Sequence, residues 1–123
     1  MENVVVLGAS TNPERYSYRA VAMLAEHGHQ VFPVSPSGQE VLGHAGYRAL
    51  GEIAEPIDTV TVYLNPSRLE PLLDELIAKP PRRVIFNPGA ESETAEHKLQ
   101  SAGIDTLRAC TLVLLSTGQF ESA

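Results

Sequence analysis

A glycine followed by four small or polar residues is the first feature of the chain that could bind a ligand. The segment Gly8-Ala9-Ser10-Thr11-Asn12 comes directly after a β-branched run and before a helical pattern. Gly8 permits a tight turn, and the small residues after it let an anion approach the backbone amides at the start of a helix. The segment predicts either a loop that binds a phosphate-bearing ligand or a purely structural turn.

This loop lacks the features of an NAD site. The dinucleotide fingerprint needs three glycines spaced G-x-G-x-x-G, and only Gly8 is present. A ribose-binding carboxylate is also missing after the second apolar run, where Val34 and Ser35 stand. NAD(P) is therefore less favoured than another nucleotide-type anion.

Cys110 is the single cysteine and the only candidate nucleophile. A cysteine at the start of a helix can be reactive, but Cys–His catalysis needs a histidine partner, and no pattern ties one to Cys110. A small buried apolar residue, a redox thiol and a catalytic thiol all stay open. The four histidines are scattered, so we predict no metal site.

Composition and charge limit the class of protein. The 123 residues, 43% of them hydrophobic, predict one globular domain over residues 1–123. With 9 Lys plus Arg against 15 Asp plus Glu, the net charge of −6 disfavours nucleic acid as a partner. No apolar run is long enough to span a membrane. The single cysteine and the lack of a secretory signal predict a cytoplasmic protein.

Short apolar runs alternate with helical patterns along the chain. The patterns predict strands at residues 3–8, 30–34, 59–64, 83–87 and 104–109, and helices at 17–28, 65–79, 91–102 and 110–117. This alternation predicts an α/β fold, a Rossmann-like three-layer α/β/α arrangement. Right-handed crossovers and short connections then give a five-stranded parallel sheet of order 3-2-1-4-5.

The predicted order also predicts where a ligand binds. Ligands of such sheets occupy the crevice at the carboxyl ends of the strands, where the order reverses, here between the first and fourth strands. The segments at residues 8–12, 35–38, 65–66 and 87–90 meet there. Asn65 could contact the ligand or could cap the helix that follows it, since Pro66 suits the first helical position. Both roles can hold.

Six segments, in this order, resemble the small stand-alone CoA-binding domain proteins. They are GASTNPERYSYRA, HGHQVFPVSP, VLGHAGYRAL, DTVTVYLNP, RVIFNPGAES and ACTLVLLSTGQF. The resemblance spans nearly the whole chain, and the joint order is more specific than any one motif. It implies the Rossmann-like fold, similar to the N-terminal CoA-binding domain of succinyl-CoA synthetase alpha subunits, with coenzyme A as the ligand.

The resemblance assigns binding positions residue by residue. The family's GAS loop falls on Gly8, Ala9 and Ser10, and its KYSY element falls on Arg15, Tyr16, Ser17 and Tyr18. The loops after the second and third strands fall on Val34, Ser35 and Pro36 and on Leu64, Asn65 and Pro66. The loop after the fourth strand falls on Asn87 and Gly89. Two positions depart from the pattern. Ser35 stands where the family usually has Asn, and Asn65 stands where it often has Arg.

Coenzyme A makes physical demands that these residues could meet. Its pyrophosphate suits the amides of residues 9–12, and its 3′-phosphate needs a cation, for which Arg15 is nearest in sequence. A solvated surface charge is the alternative for Arg15. One of Tyr16 and Tyr18 is expected to pack under the loop. Gly89, followed by Ala90, would let the backbone face the ligand closely.

We therefore expect non-catalytic binding of coenzyme A or an acyl-CoA, by a carrier, sensor or accessory module. Four alternatives stay open: a thiol- or nucleotide-dependent enzyme using Cys110, a mixed disulfide between Cys110 and CoA, a binder of NAD(P) or another adenine nucleotide, and a ligand-free interaction module. A homodimer is also open.

Overall fold

One parallel sheet forms the centre of the computed structural model, which describes all residues 1–123. Its strands are β1 (Asn3–Leu7), β2 (Gln30–Val34), β3 (Thr59–Val62), β4 (Arg83–Phe86) and β5 (Asp105–Arg108). They lie in the order β2-β1-β3-β4-β5, and every neighbouring pair is parallel. All five predicted strands are confirmed, each end to within two residues.

Five α-helices surround the sheet: α1 (Tyr16–Glu26), α2 (Pro66–Leu69), α3 (Leu73–Ala78), α4 (Glu93–Ser101) and α5 (Thr111–Ser116). The helix predicted over residues 65–79 is interrupted by a 3₁₀ turn at Glu70–Leu72. Pro71 explains the break, because proline lacks the N–H that a continuous helix needs and crowds the preceding turn. None of the helices is long and apolar enough to cross a membrane.

Helices cover both faces of the sheet, which confirms the three-layer α/β/α prediction. On one face, Val21 and Leu24 of α1 and Leu115 of α5 pack in a cluster of nine buried residues. On the other face, α2, α3 and α4 contribute to a cluster of 18 buried residues. Alternate residues of β1, β2 and β4 belong to alternate clusters, as Val4 and Val5 of β1 show.

The strand order differs from the predicted 3-2-1-4-5 in the position of β3, which lies between β1 and β4. The connection from β2 to β3 places Leu50, Ile53 and Ile57 in the larger cluster, on the face opposite α1. A right-handed crossover on the opposite face runs in the opposite direction, so it passes β1 and adds β3 on the far side. The point where the order reverses is therefore between β1 and β3.

The same order leaves β2 at the edge of the sheet. Pro33 lies inside β2, paired with Val6 of β1. Proline cannot donate a ladder hydrogen bond and is tolerated at an edge, whereas the order 3-2-1-4-5 would have put it in a central strand. The strand consequently continues through Pro33 to Val34.

Buried charges close the amino edge of the sheet. The guanidinium of Arg83 donates to Thr59 Oγ1 (2.8 Å), to Glu2 Oε2 (3.3 Å) and to the carbonyl of Phe120 (2.8 Å). The N–H of Glu2 donates to His29 Nδ1 at 3.0 Å. These buried groups satisfy one another and anchor the end of the chain, so they are not available to a ligand.

Acid should destabilise the protein through His29. Burial lowers the pKa of His29 from its ordinary value of about 6.5, and the nearby carboxylates of Glu121 and Glu2 oppose only part of this effect. The unfolded chain then binds the proton first as the pH falls. The free energy of unfolding should be highest above pH ~6.5 and should decline below it, by at most about 1.4 kcal/mol per pH unit for one proton.

Urea titrations at a series of pH values measure this slope. His29→Gln should flatten it, whereas the same substitution at the exposed His97 should leave it as in the wild type. An equal slope in wild type and His29→Gln would show that another group is responsible.

Candidate functional site

Three adjoining clefts open along the carboxyl edge of the sheet. The central cleft, of about 390 Å³, lies between the start of α1 and the ends of β1, β3 and β4. The β2-side cleft, of about 560 Å³, lies between the ends of β1 and β2 and the start of α2. The α5-side cleft, of about 220 Å³, lies between the ends of β3 and β4 and the start of α5. Together they occupy the edge at which the sequence predicts the ligand.

Gly8 and Leu64 line both the central and the β2-side clefts. The N–H groups of Gly8 and Ala9 both donate to the carbonyl of Val34, at 2.9 and 3.1 Å. Gly8 has φ +90°, and a Cβ there would lie 2.9 Å from Leu64 Cδ2 and 3.1 Å from the carbonyl carbon of Tyr63. Only glycine fits at this position, where the chain leaving β1 passes the end of β3.

The loop after Gly8 uses most of its own donors. The N–H of Ala9 is taken by Val34, and the N–H of Asn12 donates to Ser10 Oγ at 3.0 Å. Asn12 Oδ1 in turn accepts the N–H of Glu14 at 3.0 Å. Two of the four amides predicted to hold a pyrophosphate are therefore occupied, and only those of Ser10 and Thr11 remain.

Free donors occur instead at the start of α1. Arg15 occupies the N-cap position and supplies no side-chain acceptor, so the N–H groups of Tyr16, Ser17 and Tyr18 are unbonded. Ser17 is only 4% exposed, lines the central cleft, and its hydroxyl has no hydrogen-bond partner in the protein. Arg15 lines the same cleft. Unbonded amides at a helix start, a hydroxyl and a guanidinium are together suited to a phosphate.

The loop after β4 forms one wall of the same cleft. Gly89 and Ala90 line it, and the N–H of Gly89 donates to Glu91 Oε1 at 2.9 Å. The N–H groups of Glu91 and Gly89 hold the pKa of the Glu91 carboxyl below its usual range. The Gly89 amide is thus occupied by a carboxylate of the protein itself.

Asn87 connects three elements at the end of β4. Its Nδ2 donates to Thr61 Oγ1 (2.7 Å) and to the carbonyl of Val62 (2.9 Å), and its Oδ1 accepts the N–H of Thr111 (2.9 Å). The side chain is 2% exposed. Asn87 therefore fixes the end of β3 and the start of α5, although it also lines the α5-side cleft.

The β2-side cleft combines an apolar surface with positive charge. Leu7, Val34 and Leu72 line it, together with Arg48 and Arg68. Neither arginine takes part in any of the ion pairs of the structure. An apolar cleft with two unpaired guanidinium groups suits a flat, uncharged ring that carries an anionic group.

The α5-side cleft contains Cys110 and Tyr63. Cys110 is partly buried and carries a free thiol. Burial raises the pKa of Tyr63 to about 12, so the phenol is neutral near pH 7. Its hydroxyl oxygen is buried beside the hydroxyls of Thr61 and Thr111, which oppose part of this rise in pKa. His, Cys, Asp and Glu side chains nowhere converge in a group of three or more that could hold a metal ion.

Only one of the two candidate tyrosines lines a cleft. Tyr18 was predicted as a ligand-binding residue, but it packs against the buried cluster beneath α1 and α5 and lines none of the three clefts. Tyr16 is 66% exposed and lines the central and α5-side clefts, with the guanidinium of Arg19 5.5 Å from its ring centre. Successive helical residues point in different directions, which accounts for the division.

Asn65 is an N-cap, as one of its two interpretations predicts. Its Oδ1 accepts the N–H of Arg68 at 3.0 Å and the hydroxyl of Ser67 at 2.7 Å. Pro66 is the first residue of α2. Asn65 also lines the central cleft, so its Nδ2 stays available to a ligand.

The predicted binding residues thus divide into two groups. Those that line a cleft are Gly8, Arg15, Val34, Ser35, Pro36, Asn65, Asn87, Gly89 and Ala90. Those that line none are Ala9, Ser10, Thr11, Asn12, Tyr18 and Pro66. Arg48 and Arg68 were not among the predicted residues, and Ser17 was named only as part of the KYSY element that the resemblance assigns. The one local signal for Ser17 is the arginine at the N-cap position, which normally holds Ser, Asp or Asn.

Comparison with known proteins gives consistent matches over most of the chain. The family described as the CoA binding domain matches residues 2–116. A solved structure of an uncharacterized protein is 39% identical with a TM-score of 0.86, and the match covers 98% of each chain. A Thermus thermophilus protein is 30% identical with a TM-score of 0.89, covering 97% of this chain and 90% of that one. The uncharacterized protein YneT of Bacillus subtilis is 28% identical over 102 residues, 83% of this chain and 76% of YneT.

Substitution of Gly8 should show how strongly the structure around the site depends on the close contact of Gly8 with Leu64 and Tyr63. Gly8→Ala should lose about 1–2 kcal/mol from the left-handed backbone conformation and a further ~1–3 kcal/mol from crowding against Leu64 and Tyr63. Gly28 is the matched control, because it has φ +84° but open space around its Cβ position. Gly28→Ala should lose only the free energy that comes from the left-handed backbone conformation, about 1–2 kcal/mol. Urea denaturation compares the two, and equal losses would contradict the crowding.

Proposed function

Because the chain belongs to the family of CoA binding domains, we propose that it binds coenzyme A or an acyl-CoA across the carboxyl edge of its sheet. The observation that carries the proposal is the pair of unpaired arginines, Arg48 and Arg68, on an apolar cleft next to the unbonded start of α1. Coenzyme A needs both kinds of site, since it has an adenine ring, a 3′-phosphate and a pyrophosphate.

The β2-side cleft suits the adenosine part of the ligand. Its aliphatic lining offers a surface to the adenine ring, while Arg48 and Arg68 supply guanidinium groups for the 3′-phosphate. Ser35 stands at the end of β2, where a carboxylate would chelate the ribose hydroxyls of NAD. A carboxylate there would repel a 3′-phosphate, so a neutral serine favours CoA over NAD.

The central cleft suits the pyrophosphate. The unbonded N–H groups of Tyr16, Ser17 and Tyr18, together with the Ser17 hydroxyl, offer donors at the positive end of a helix of 11 residues. Arg15 adds a full positive charge beside them. These local groups act at short range, where the net charge of −6 has little influence.

A binding role without catalysis agrees with the residues around the ligand. No histidine lines any of the three clefts, so Cys110 has no imidazole partner among the lining residues, and the one lining carboxylate, Glu14, belongs to the central cleft rather than to the α5-side cleft of Cys110. Glu91 is engaged by backbone amides and Asn87 by β3 and α5. We infer that the protein acts as a carrier, sensor or accessory module for CoA.

The two arginines should distinguish CoA from a ligand without the 3′-phosphate. Each charge-assisted hydrogen bond contributes about 1.5–3 kcal/mol, so Arg48→Ala and Arg68→Ala should each weaken CoA binding by roughly 10- to 150-fold. Binding of 3′-dephospho-CoA should change much less. Isothermal titration calorimetry on both ligands measures the difference.

Arg82→Ala is the matched control, because Arg82 is 66% exposed and bonded to Glu2 and Asp58 at the opposite edge. It should leave both affinities unchanged. Equal losses for CoA and dephospho-CoA would show that the arginines do not bind the 3′-phosphate. Failure of the wild-type protein to bind CoA at all would refute the proposed function.

A further inference from the structure

We propose that Gly38 makes the β2-side cleft selective for a 3′-phosphate, because its lack of a side chain lets Arg48 lie across the loop after β2 and reach that cleft. The inference rests on the proposed function, since it concerns the subsite for the 3′-phosphate of CoA. Gly38 itself lines none of the three clefts, so it is a positioning residue that acts through Arg48.

The loop after β2 folds back on itself and brings Gly38 against Arg48. The N–H of Gly38 donates to the carbonyl of Ser35 at 3.0 Å, which closes a turn at the end of the strand. A Cβ at Gly46 would lie 2.1 Å from the carbonyl oxygen of Gln39, so the two arms of the loop are in direct backbone contact there. The chain that follows Gly46 therefore passes beside Gly38.

The backbone of Arg48 is held in place by hydrogen bonds. The N–H of Tyr47 donates to the carbonyl of Pro33 at 2.9 Å, and the carbonyl of Tyr47 accepts the N–H of Ser35 at 3.1 Å. The N–H of Arg48 donates to Glu52 Oε1 at 2.8 Å. Because these bonds fix the main chain, any crowding beside Arg48 falls on its side chain.

The Arg48 side chain runs along the backbone of Gly38. A Cβ at Gly38 would lie 2.9 Å from Arg48 Cγ and 3.5 Å from Arg48 Nε. The first distance is too short for two carbon atoms, whereas the backbone nitrogen of Arg48, at 3.6 Å, would be in ordinary contact. With the main chain fixed, Cγ moves by rotation about the Cα–Cβ bond, which has three staggered positions. A side chain at residue 38 would therefore redirect the whole guanidinium group.

Packing against Gly38, rather than an ion pair, directs the Arg48 side chain. Arg48 takes part in none of the ion pairs of the structure, and no carboxylate lines the β2-side cleft. An arginine that is already oriented loses less side-chain freedom when it binds a ligand. Its forked donors also stay free for a phosphate, which the 3′-position of CoA supplies and a plain ribose hydroxyl does not.

The test compares the affinities of Gly38→Ala for CoA and for 3′-dephospho-CoA by isothermal titration calorimetry. CoA binding should weaken at least about tenfold, as for the loss of one charge-assisted contact, and the affinity for dephospho-CoA should stay nearly unchanged. Gly43→Ala is the matched control in the same loop, because Gly43 has φ +82° and Gly38 has φ +65°, but the Cβ position of Gly43 is open. It should leave both affinities unchanged.

Arg48→Ala supplies a second comparison. Without Cγ at residue 48, the added Cβ displaces nothing, so Gly38→Ala should cause no further loss of CoA affinity in that background. Gly38→Asn places the same Cβ in a residue that tolerates a left-handed backbone, and it replaces Gly38→Ala should the alanine variant not fold.

The outcomes separate this inference from the proposed function. Equal losses for CoA and dephospho-CoA, an unchanged affinity for CoA, or an additive loss in the Arg48→Ala background would overturn the role of Gly38. Binding of CoA by the wild type leaves the proposed function standing in each of these cases. Failure of the wild type to bind CoA refutes the proposed function and this inference with it.

Discussion

The candidate site depends on the close passage of Gly8 beside Tyr63 and Leu64. Because Gly8 has no side chain, the chain leaving β1 can turn towards α1 directly against the end of β3. Two hydrogen bonds to the Val34 carbonyl fix the same turn to β2. One glycine therefore sets the wall between the central and β2-side clefts.

The two edges of the sheet differ in whether their polar groups have hydrogen-bond partners within the protein. At the amino edge, Arg83, Glu2 and His29 are buried and bonded to one another or to the chain end. At the carboxyl edge, the start of α1 and the Ser17 hydroxyl lack partners within the protein. Donors left unpaired in a cleft are satisfied by water or by a ligand, so they are free to bind one.

Local sequence patterns predict the elements well and their arrangement less well. Strands β1 to β4 are short runs rich in β-branched or apolar residues, and Asn65 before Pro66 marks a helix start by its own chemistry. The position of β3 depends on which face residues 35–58 cover, which no local pattern states. Arg48 and Arg68 likewise meet only because an irregular loop and α2 converge in space. The number of free amides in the loop was overestimated because Val34, distant in sequence, accepts the N–H of Ala9, and Ser10 Oγ accepts the N–H of Asn12.

Binding of CoA at the carboxyl edge is measured most directly by titrating ¹⁵N-labelled protein with CoA and following the amide chemical shifts. The amides of Tyr16, Ser17 and Tyr18 should shift most, because they are the unbonded donors assigned to the pyrophosphate. Shifts should also occur at Gly8 and Arg68, which border the β2-side cleft. An unchanged spectrum, or shifts centred on Glu2 and His29 at the opposite edge, would show that CoA does not bind there.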